Sequence, residues 1–331
     1  MQLLHRVKRP LGVCMAIVCL MVAHLTFAQT RVRILTGTAG GIFDPLGKAY
    51  SEMIGKNIPN TNVTSEVTKG SVFNLQTLAS RDADIGFAQA DVVWESYKGF
   101  GEFRERVPLR TLVVLYPNSL QLVATKQSGI RSAKDLRGKR VSTNAPGTGG
   151  EIWALRMLAA DNIDPDKDMQ RYKLNLVEST AAMKNGKLDA FFFSGGAPAK
   201  AIAELAKDPP GGPLQLINTA HAVPAMLRRH GPVYSDGIIP VNTYAGQTEA
   251  IKVADVWNLI VVRADMDDKL AYDLVKTLFE HKDEFENRPD LAAVSKVLKQ
   301  ISLKDQAINS PIPFHPGAAR YLKEKGVRLF R

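Results

Sequence analysis

One run of signals occurs twice in this chain: an apolar strand, a glycine-rich loop and a helix. The repetition restricts the fold more than any other feature. The first copy is RILTGTAGGIFDPLGKAY, Arg33 to Tyr50, and the second is GKRVSTNAPGTGGEIWALRMLAA, Gly138 to Ala160. Each is followed by a helix end, a turn, an aspartate and an apolar strand with a polar or glycine-rich exit, in ASRDADIGFAQAD and KNGKLDAFFFSGGAP. Gly149 lies 109 residues after Gly40, and Asp189 lies 105 after Asp84, so the spacing between copies is nearly constant. Two similar βαβ units are expected. Alternating strand and helix signals predict parallel sheets, whose ligand sites lie beyond the carboxyl ends of the strands.

In the first loop, Val32, Ile34 and Leu35 supply the strand, and Gly37, Gly40 and Gly41 let the backbone turn and approach a ligand closely. Asp44 is expected at the helix N-cap and Pro45 at the first helical position, with Leu46, Ala49, Tyr50, Met53 and Ile54 at helical spacing behind them. Such a helix start presents unpaired N–H groups, where a phosphate or a carboxylate could sit. The common nucleotide cradles are absent: position 39 is alanine, which breaks G-x-G-x-x-G, and no G-x-x-x-x-G-K-[ST] occurs. A plain tight connection is the competing explanation of this loop.

The N-terminus reads as an export signal. Arg6, Lys8 and Arg9 form a basic start, Leu11 to Leu25 an apolar run, and Ala28 a small residue suited to cleavage. Residues 1–28 are therefore expected to be a signal peptide, with a periplasmic product that begins near Gln29. Both cysteines, Cys14 and Cys19, lie inside this leader, so the product would form no disulfide and bind no metal through sulfur. The formal charge of the 331-residue chain is +10, and it stays basic without the three leader cations. In an exported protein that favours anionic small ligands or a partner surface over nucleic acid.

Between the two copies, LRTLVVLYPNSLQLVATKQ is an extended apolar segment with a Pro-Asn turn, suited to crossing from one lobe to the next. A second crossing is expected in TYAGQTEAIKVADVWNLIVVRADM. After it Leu270, Leu274 and Leu278 share a helix face, and a last helix starts at Pro316 and stops at Gly326. Two crossings followed by helices imply a clamshell whose chain end returns to the first lobe.

At this level of detail the chain resembles the TAXI-type solute receptors of tripartite ATP-independent periplasmic (TRAP) transporters. The matching pieces are GTAGGIFDPLGKAY, EVTKGSVFNLQTLASRDADIGFAQADV, LYPNSLQLVATKQSGIRSAKDLRGKRVSTNAPGTGGE, GKLDAFFFSGGAPAKAI, IPVNTYAGQ and SPIPFHPGAARYLKEKG, in the expected order. The resemblance implies an α/β fold: a two-lobed periplasmic binding protein, a type II clamshell, in which each lobe is a mostly parallel sheet flanked by helices. Lobe I is expected over 29–119 and 246–331, and lobe II over 120–245. It further implies capture of a small anionic solute (a 2-oxoacid, a dicarboxylate or a glutamate-like amino acid) by a monomer that hands it to membrane permease subunits. Two departures bear on specificity. Phe43-Asp44 stands where the family carries Tyr-Tyr, and Gly147-Thr148-Gly149-Gly150 stands where it commonly has Gly-Ser-Gly-Thr.

The candidate ligand-binding residues are Gly40, Gly41 and Phe43 in the first loop and Ser71, Gln89, Asp91 and Tyr116 farther along lobe I. In lobe II they are Thr148, Gly149 and Gly150, with Ser194 and Gly195 at the matching exit of the second copy. Ser71 could equally be a plain N-cap, Asp91 a polar surface residue and Tyr116 a tyrosine packed between lobes. No cofactor, metal or catalytic residue is expected. G-x-S-x-G, Ser-x-x-Lys and H-E-x-x-H are absent, and the acidic run from Asp161 to Asp168 has Met169 where a calcium loop from Asp164 needs glycine. A ligand-presenting subunit for a membrane sensor kinase is the alternative role, and a periplasmic enzyme on the same clamshell a more distant one.

Overall fold

The computed structural model describes residues 29–39, 41–286, 288, 295, 297–307 and 309–329, so the expected signal peptide over 1–28 and Gly40 lie outside the described residues. The first unit runs β1 (Thr30–Leu35), α1 (Phe43–Asn57), β2 (Thr61–Glu66), α2 (Ser71–Ala79), β3 (Ile85–Gln89) and α3 (Ala90–Lys98). β1 is central, parallel to β2 from Thr30 opposite Thr61 to Leu35 opposite Glu66, and parallel to β3 on its other side. The long strand β4 (Leu109–Thr125) then leads to the second unit: β5 (Arg140–Ser142), α4 (Gly149–Ala160), β6 (Gln170–Tyr172), α5 (Leu176–Lys184) and β7 (Ala190–Gly195). There β5 is central, parallel to β6 and β7. The repeat visible in the sequence is a repeat of topology.

The remaining elements are α6 (Lys200–Leu205), β8 (Leu214–Ile217), α7 (Val223–His230), β9 (Tyr234–Ile239), β10 (Ile251–Arg263), α8 (Asp268–Glu286) and α9 (Pro316–Glu324). β4 and β10 run antiparallel between the units, paired from Leu109 opposite Arg263 to Ser119 opposite Asp255. One end of β10 pairs with β3 and the other with β9, while the far end of β4 pairs with β7 and β8. Both strands therefore change partners near Pro117–Ser119 and Asp255–Asn258. The strand order β2-β1-β3-β10-β4-β7-β5-β6 follows, a curled sheet shared by two lobes.

Two local expectations are corrected. The Pro-Asn pair makes no turn, because β4 runs through it; Pro117 faces Trp257, and the register slips between Trp257 and Leu259. A proline cannot donate to the ladder, and such an irregularity accommodates it. Asp44 is not the cap of α1. Ile42 holds that position without a side-chain bond, and Asp44 lies in the first turn with Lys48 Nζ at 2.9 Å.

The first lobe's core joins Val32, Ile34, Leu46, Tyr50 and Ile54 to Leu274, Leu278, Tyr321 and Leu322 of the last two helices. The Tyr50 hydroxyl donates to the Leu274 carbonyl at 2.9 Å, which ties α1 to α8. The chain end thus returns to the first unit by burying the leucine face anticipated in α8. Truncating Leu274 to alanine there would cost roughly 2–5 kcal/mol. In the second lobe, Met183, Leu188, Phe191, Ile202 and Leu205 pack with Tyr244 and Val253. Among the described residues, no helix is long and apolar enough to cross a membrane.

Candidate functional site

β3 and β7 end at Gln89 and Gly195, and the loops at these ends face each other across the lobes. Gly70 precedes α2 with φ of 103°, a conformation strained for any residue with a Cβ, so glycine is required there. Ser71 is the first helical residue and does not cap α2. Its hydroxyl accepts the main-chain N–H of Gln89 at 3.1 Å and pins the end of β3 to the start of the helix. Thr148 does cap its helix: Oγ1 accepts from the Glu151 N–H at 3.1 Å and donates to the Ala145 carbonyl at 2.8 Å. The Thr148 hydroxyl is thereby occupied, and the first-turn amides of Gly149 and Gly150 remain the groups that a helix cannot satisfy internally.

These pieces meet. Gln89 Nε2 donates to Ser194 Oγ at 2.5 Å, a bond from one lobe to the other. A Cβ added at Gly149 would fall 2.2 Å from Gln89 Oε1 and 3.1 Å from Ser71 Oγ, and one added at Gly70 would lie 4.0 Å from Thr148 Cα. At Gly150 a Cβ would meet Asn144 Nδ2 at 2.5 Å and Ser194 Cβ at 3.3 Å. The structure therefore brings together Ser71, Gln89, Thr148, Gly149, Gly150 and Ser194, with the lobes closed on one another. A side chain at 149 would therefore have to turn the amide end of Gln89 away from Ser194. The amino ends of α2 and α4 come face to face, and Gln89 Oε1 between them is buried with no donor.

The other candidates are elsewhere. Phe43 packs on Phe87 with ring centroids 5.4 Å apart, and Gly41 closes its own loop by donating to the Thr38 carbonyl at 3.0 Å. Gly195 sits within β7, its carbonyl accepting from Gln121 Nε2 at 3.2 Å. Tyr116 is buried in the first lobe's core, and burial raises its hydroxyl pKa far above the ordinary value. Asp91 is fully buried: Arg156 Nη1 and the Tyr234 hydroxyl reach its Oδ2 at 2.7 and 2.8 Å. Gly40 lies outside the described residues.

Sequence reasoning missed Arg156, although a signal existed. It stands on the apolar face of α4 with Trp153 and Met157, and a buried arginine demands a partner. Asn144 was missed as well; it holds φ of 80° beside Gly150. Among the described residues, no three His, Cys, Asp or Glu side chains gather closely enough to hold a metal ion.

The fold has solved counterparts. PhnD1 from Prochlorococcus marinus, in complex with methylphosphonate, is 10% identical with a TM-score of 0.54, over 82% of this chain and 91% of that one. The periplasmic aliphatic sulphonate binding protein SsuA from Escherichia coli is 15% identical with a TM-score of 0.50, over 89% of this chain and 83% of that one. At such identities the likeness establishes the two-lobed periplasmic-binding-protein fold. The sequence itself matches the NMT1-like family over residues 34–326. The chain is therefore a member of the NMT1-like family, built on the two-lobed periplasmic-binding-protein fold.

Proposed function

We propose that this protein is a periplasmic solute-binding protein that closes its lobes on a small carboxylate and delivers it to the ion-gradient-driven permease of a TRAP transporter. The observation that carries the reading is the meeting of two helix amino ends around the unpartnered Gln89 oxygen. Two positive macrodipole ends brought this close repel, and an anion bound between them relieves both. A solute that also carries a hydroxyl or ammonium group would supply the donor that Gln89 Oε1 lacks. The binding residues are then Ser71, Gln89, Thr148, Gly149, Gly150 and Ser194.

Small anions held by two proteins of the same fold, methylphosphonate in PhnD1 and aliphatic sulphonates in SsuA, support the anionic class. The carboxylate and the TRAP partner rest on the TAXI-type resemblance. In the same reading the leader is removed, lobe I comprises 29–119 with 246–331, lobe II comprises 120–245, and the protein works as a monomer by binding rather than catalysis.

A melting screen of 2-oxoacids, C4 and C5 dicarboxylates and acidic amino acids tests this, with small-angle scattering on every hit. A ligand at a hundredfold excess over its Kd stabilises by about 2.7 kcal/mol, which raises Tm by several degrees in a protein of this size. A hit should also lower the radius of gyration, because closure needs differential affinity for the closed state. Hits without compaction would break the clamshell mechanism, and no shift with any carboxylate would break the solute class.

A further inference from the structure

Behind the solute site, a second set of side chains joins the lobes. Arg156 belongs to α4, which packs on β7 and α7 in the second lobe, whereas Asp91 and Glu95 belong to α3, which rests on α2, β3 and β10. Arg156 Nη1 bonds Asp91 Oδ2 at 2.7 Å, and Nη2 bonds Glu95 Oε1 at 2.5 Å. All three are at least nine-tenths buried: Arg156 is 7% exposed, Asp91 0% and Glu95 4%. Tyr234, on β9, completes the cluster through its hydroxyl. One cation thus faces two carboxylates. A guanidinium neutralises one of them, and a second ionised carboxylate in the same dry space leaves a net buried charge, which a protein avoids by protonation.

Among the described residues the other charged neighbours form no ion pair with Glu95; Arg106 lies against Gly99 at the end of α3. Glu102, in the loop after α3, raises the negative potential at Glu95, and the main chain of Gly101 covers it so closely that a Cβ there would lie 2.6 Å from the carboxylate. Lys98, one turn along α3, lies over the Trp94 ring at 4.6 Å. At the end of α7, burial together with Arg156 and Arg229 pushes His230 down to about 4, so it is neutral. Asp91 accepts from Arg156, the Tyr234 hydroxyl and the Val92 N–H, whereas Glu95 is held by Arg156, so Glu95 is the less supported of the two carboxyls and the one assigned the proton.

We propose that Glu95 is a proton-binding site assembled by lobe closure: neutral when the lobes are shut, ionised when they part, so that closing takes up one proton. The inference rests on the closure reading above. Burial pushes the Glu95 carboxyl up to about 7 against the pull of Arg156. In the open state the side of the carboxyl that faced Arg156 meets water, and the group moves back toward the ordinary glutamate value near 4.3. The closed state therefore binds a proton that the open state does not. Its advantage is complete below the open-state pKa and is lost as pH rises toward about 7, by up to roughly tenfold per pH unit.

The test needs no solute. In the exported chain, whose native cysteines Cys14 and Cys19 lie in the leader, Ser71→Cys with Gly149→Cys should form a disulfide that locks the lobes together, the covalent bond holding them shut while the flexible end of Gln89 turns aside. The Ser71 Oγ position already lies 3.1 Å from a Cβ at 149, close to the sulfur-to-Cβ separation of a disulfide. Carboxyl-13C glutamate resonances are titrated in the locked protein and again after reduction, with scattering to check that reduction opens it. Glu95 is assigned by its loss in Glu95→Gln, or in Glu95→Asp should the first variant not fold. The expected result is a midpoint near 7 when locked and at least one unit lower after reduction. An ordinary midpoint in the locked form, or the same midpoint in both, would overturn the proposal. Failure of 2-oxoglutarate and every other carboxylate to shift Tm would sink the solute reading while leaving this titration interpretable.

Discussion

The two lobes carry the same clasp, used differently. In the first, Asp84 Oδ2 accepts the main-chain N–H of Arg33 at 2.8 Å; in the second, Asp189 Oδ2 accepts that of Arg140 at 2.8 Å. The aspartate before each exit strand thereby ties the edge of that strand to the central one. The arginine side chains diverge. Arg33 turns to Glu66 on β2 at 2.6 and 2.7 Å, whereas Arg140 folds back onto Asp189 itself at 2.6 and 3.1 Å. The faces toward the cleft diverge too. The first lobe presents side chains, Ser71 and Gln89, and the second presents the bare backbone of Gly149 and Gly150 beside the short Ser194 side chain. One surface projects and the other yields, which is how two lobes of common design can close to hydrogen-bonding distance.

If that asymmetry governs closure, Gly149→Val should have the largest effect on solute binding. Its side chain would overlap Gln89 and cost the closed state about 1–3 kcal/mol, a loss of roughly 5- to 150-fold in solute affinity by calorimetry. Ser71→Ala, on the projecting lobe, should cost less. The reverse order would break the comparison.

Next come the clasps. Asp189→Ala should destabilise by about 1.5–3 kcal/mol in urea unfolding, since the aspartate serves both the main chain and the guanidinium of Arg140. Asp84→Ala should lose less, because Arg33 keeps Glu66. The bond to Arg140 holds the Asp189 carboxyl below the usual range. A depressed folded-state pKa contributes stability above the unfolded value, near 3.9, and loses it as pH falls through the folded value. The gap between wild type and Asp189→Asn should therefore narrow below about pH 4. A gap that widened there would show that Arg140 does not pair with this carboxylate.

Ser194→Ala removes the bond from Gln89 and should weaken closure by about 1 kcal/mol, seen as a larger radius of gyration at subsaturating solute. The smallest effect is expected for Glu66→Gln. Arg33 and Glu66 are 40% and 39% exposed, so their pair should contribute under about 1 kcal/mol and fade in salt. A larger loss would mean that the first lobe depends on its outer pair as the second does on its inner one.

Much of this was legible in the sequence because it is written locally. Cap and spacing signals placed the start of α1 and both ends of α9 to within two residues, and the near-constant offset between Asp84 and Asp189 marked two equivalent strands, since the main-chain bond each aspartate accepts recurs in both lobes. Gln89 and Ser194 stood out as the polar exits of those strands, and they meet. The role of each polar group was less legible. A serine before an apolar helix looks like a cap, yet Ser71 serves the main chain of Gln89. Asp91 looked equally suited to a ligand or to solvent, because its partner lies 65 residues away.

What the sequence determined on its own was the pair of strand-loop-helix units, their glycines and the apolar faces that bind α8 to the first lobe, because periodicity and backbone freedom are properties of neighbouring residues. Only the tertiary structure decided that β4 passes straight through Pro117, that Gly149 lies against the Gln89 side chain arriving from the other lobe, and that Arg156 is shared by two carboxylates. Each of these is a meeting of groups far apart in the chain. Burial and charge balance, which set the properties of such groups, exist only once the lobes have come together.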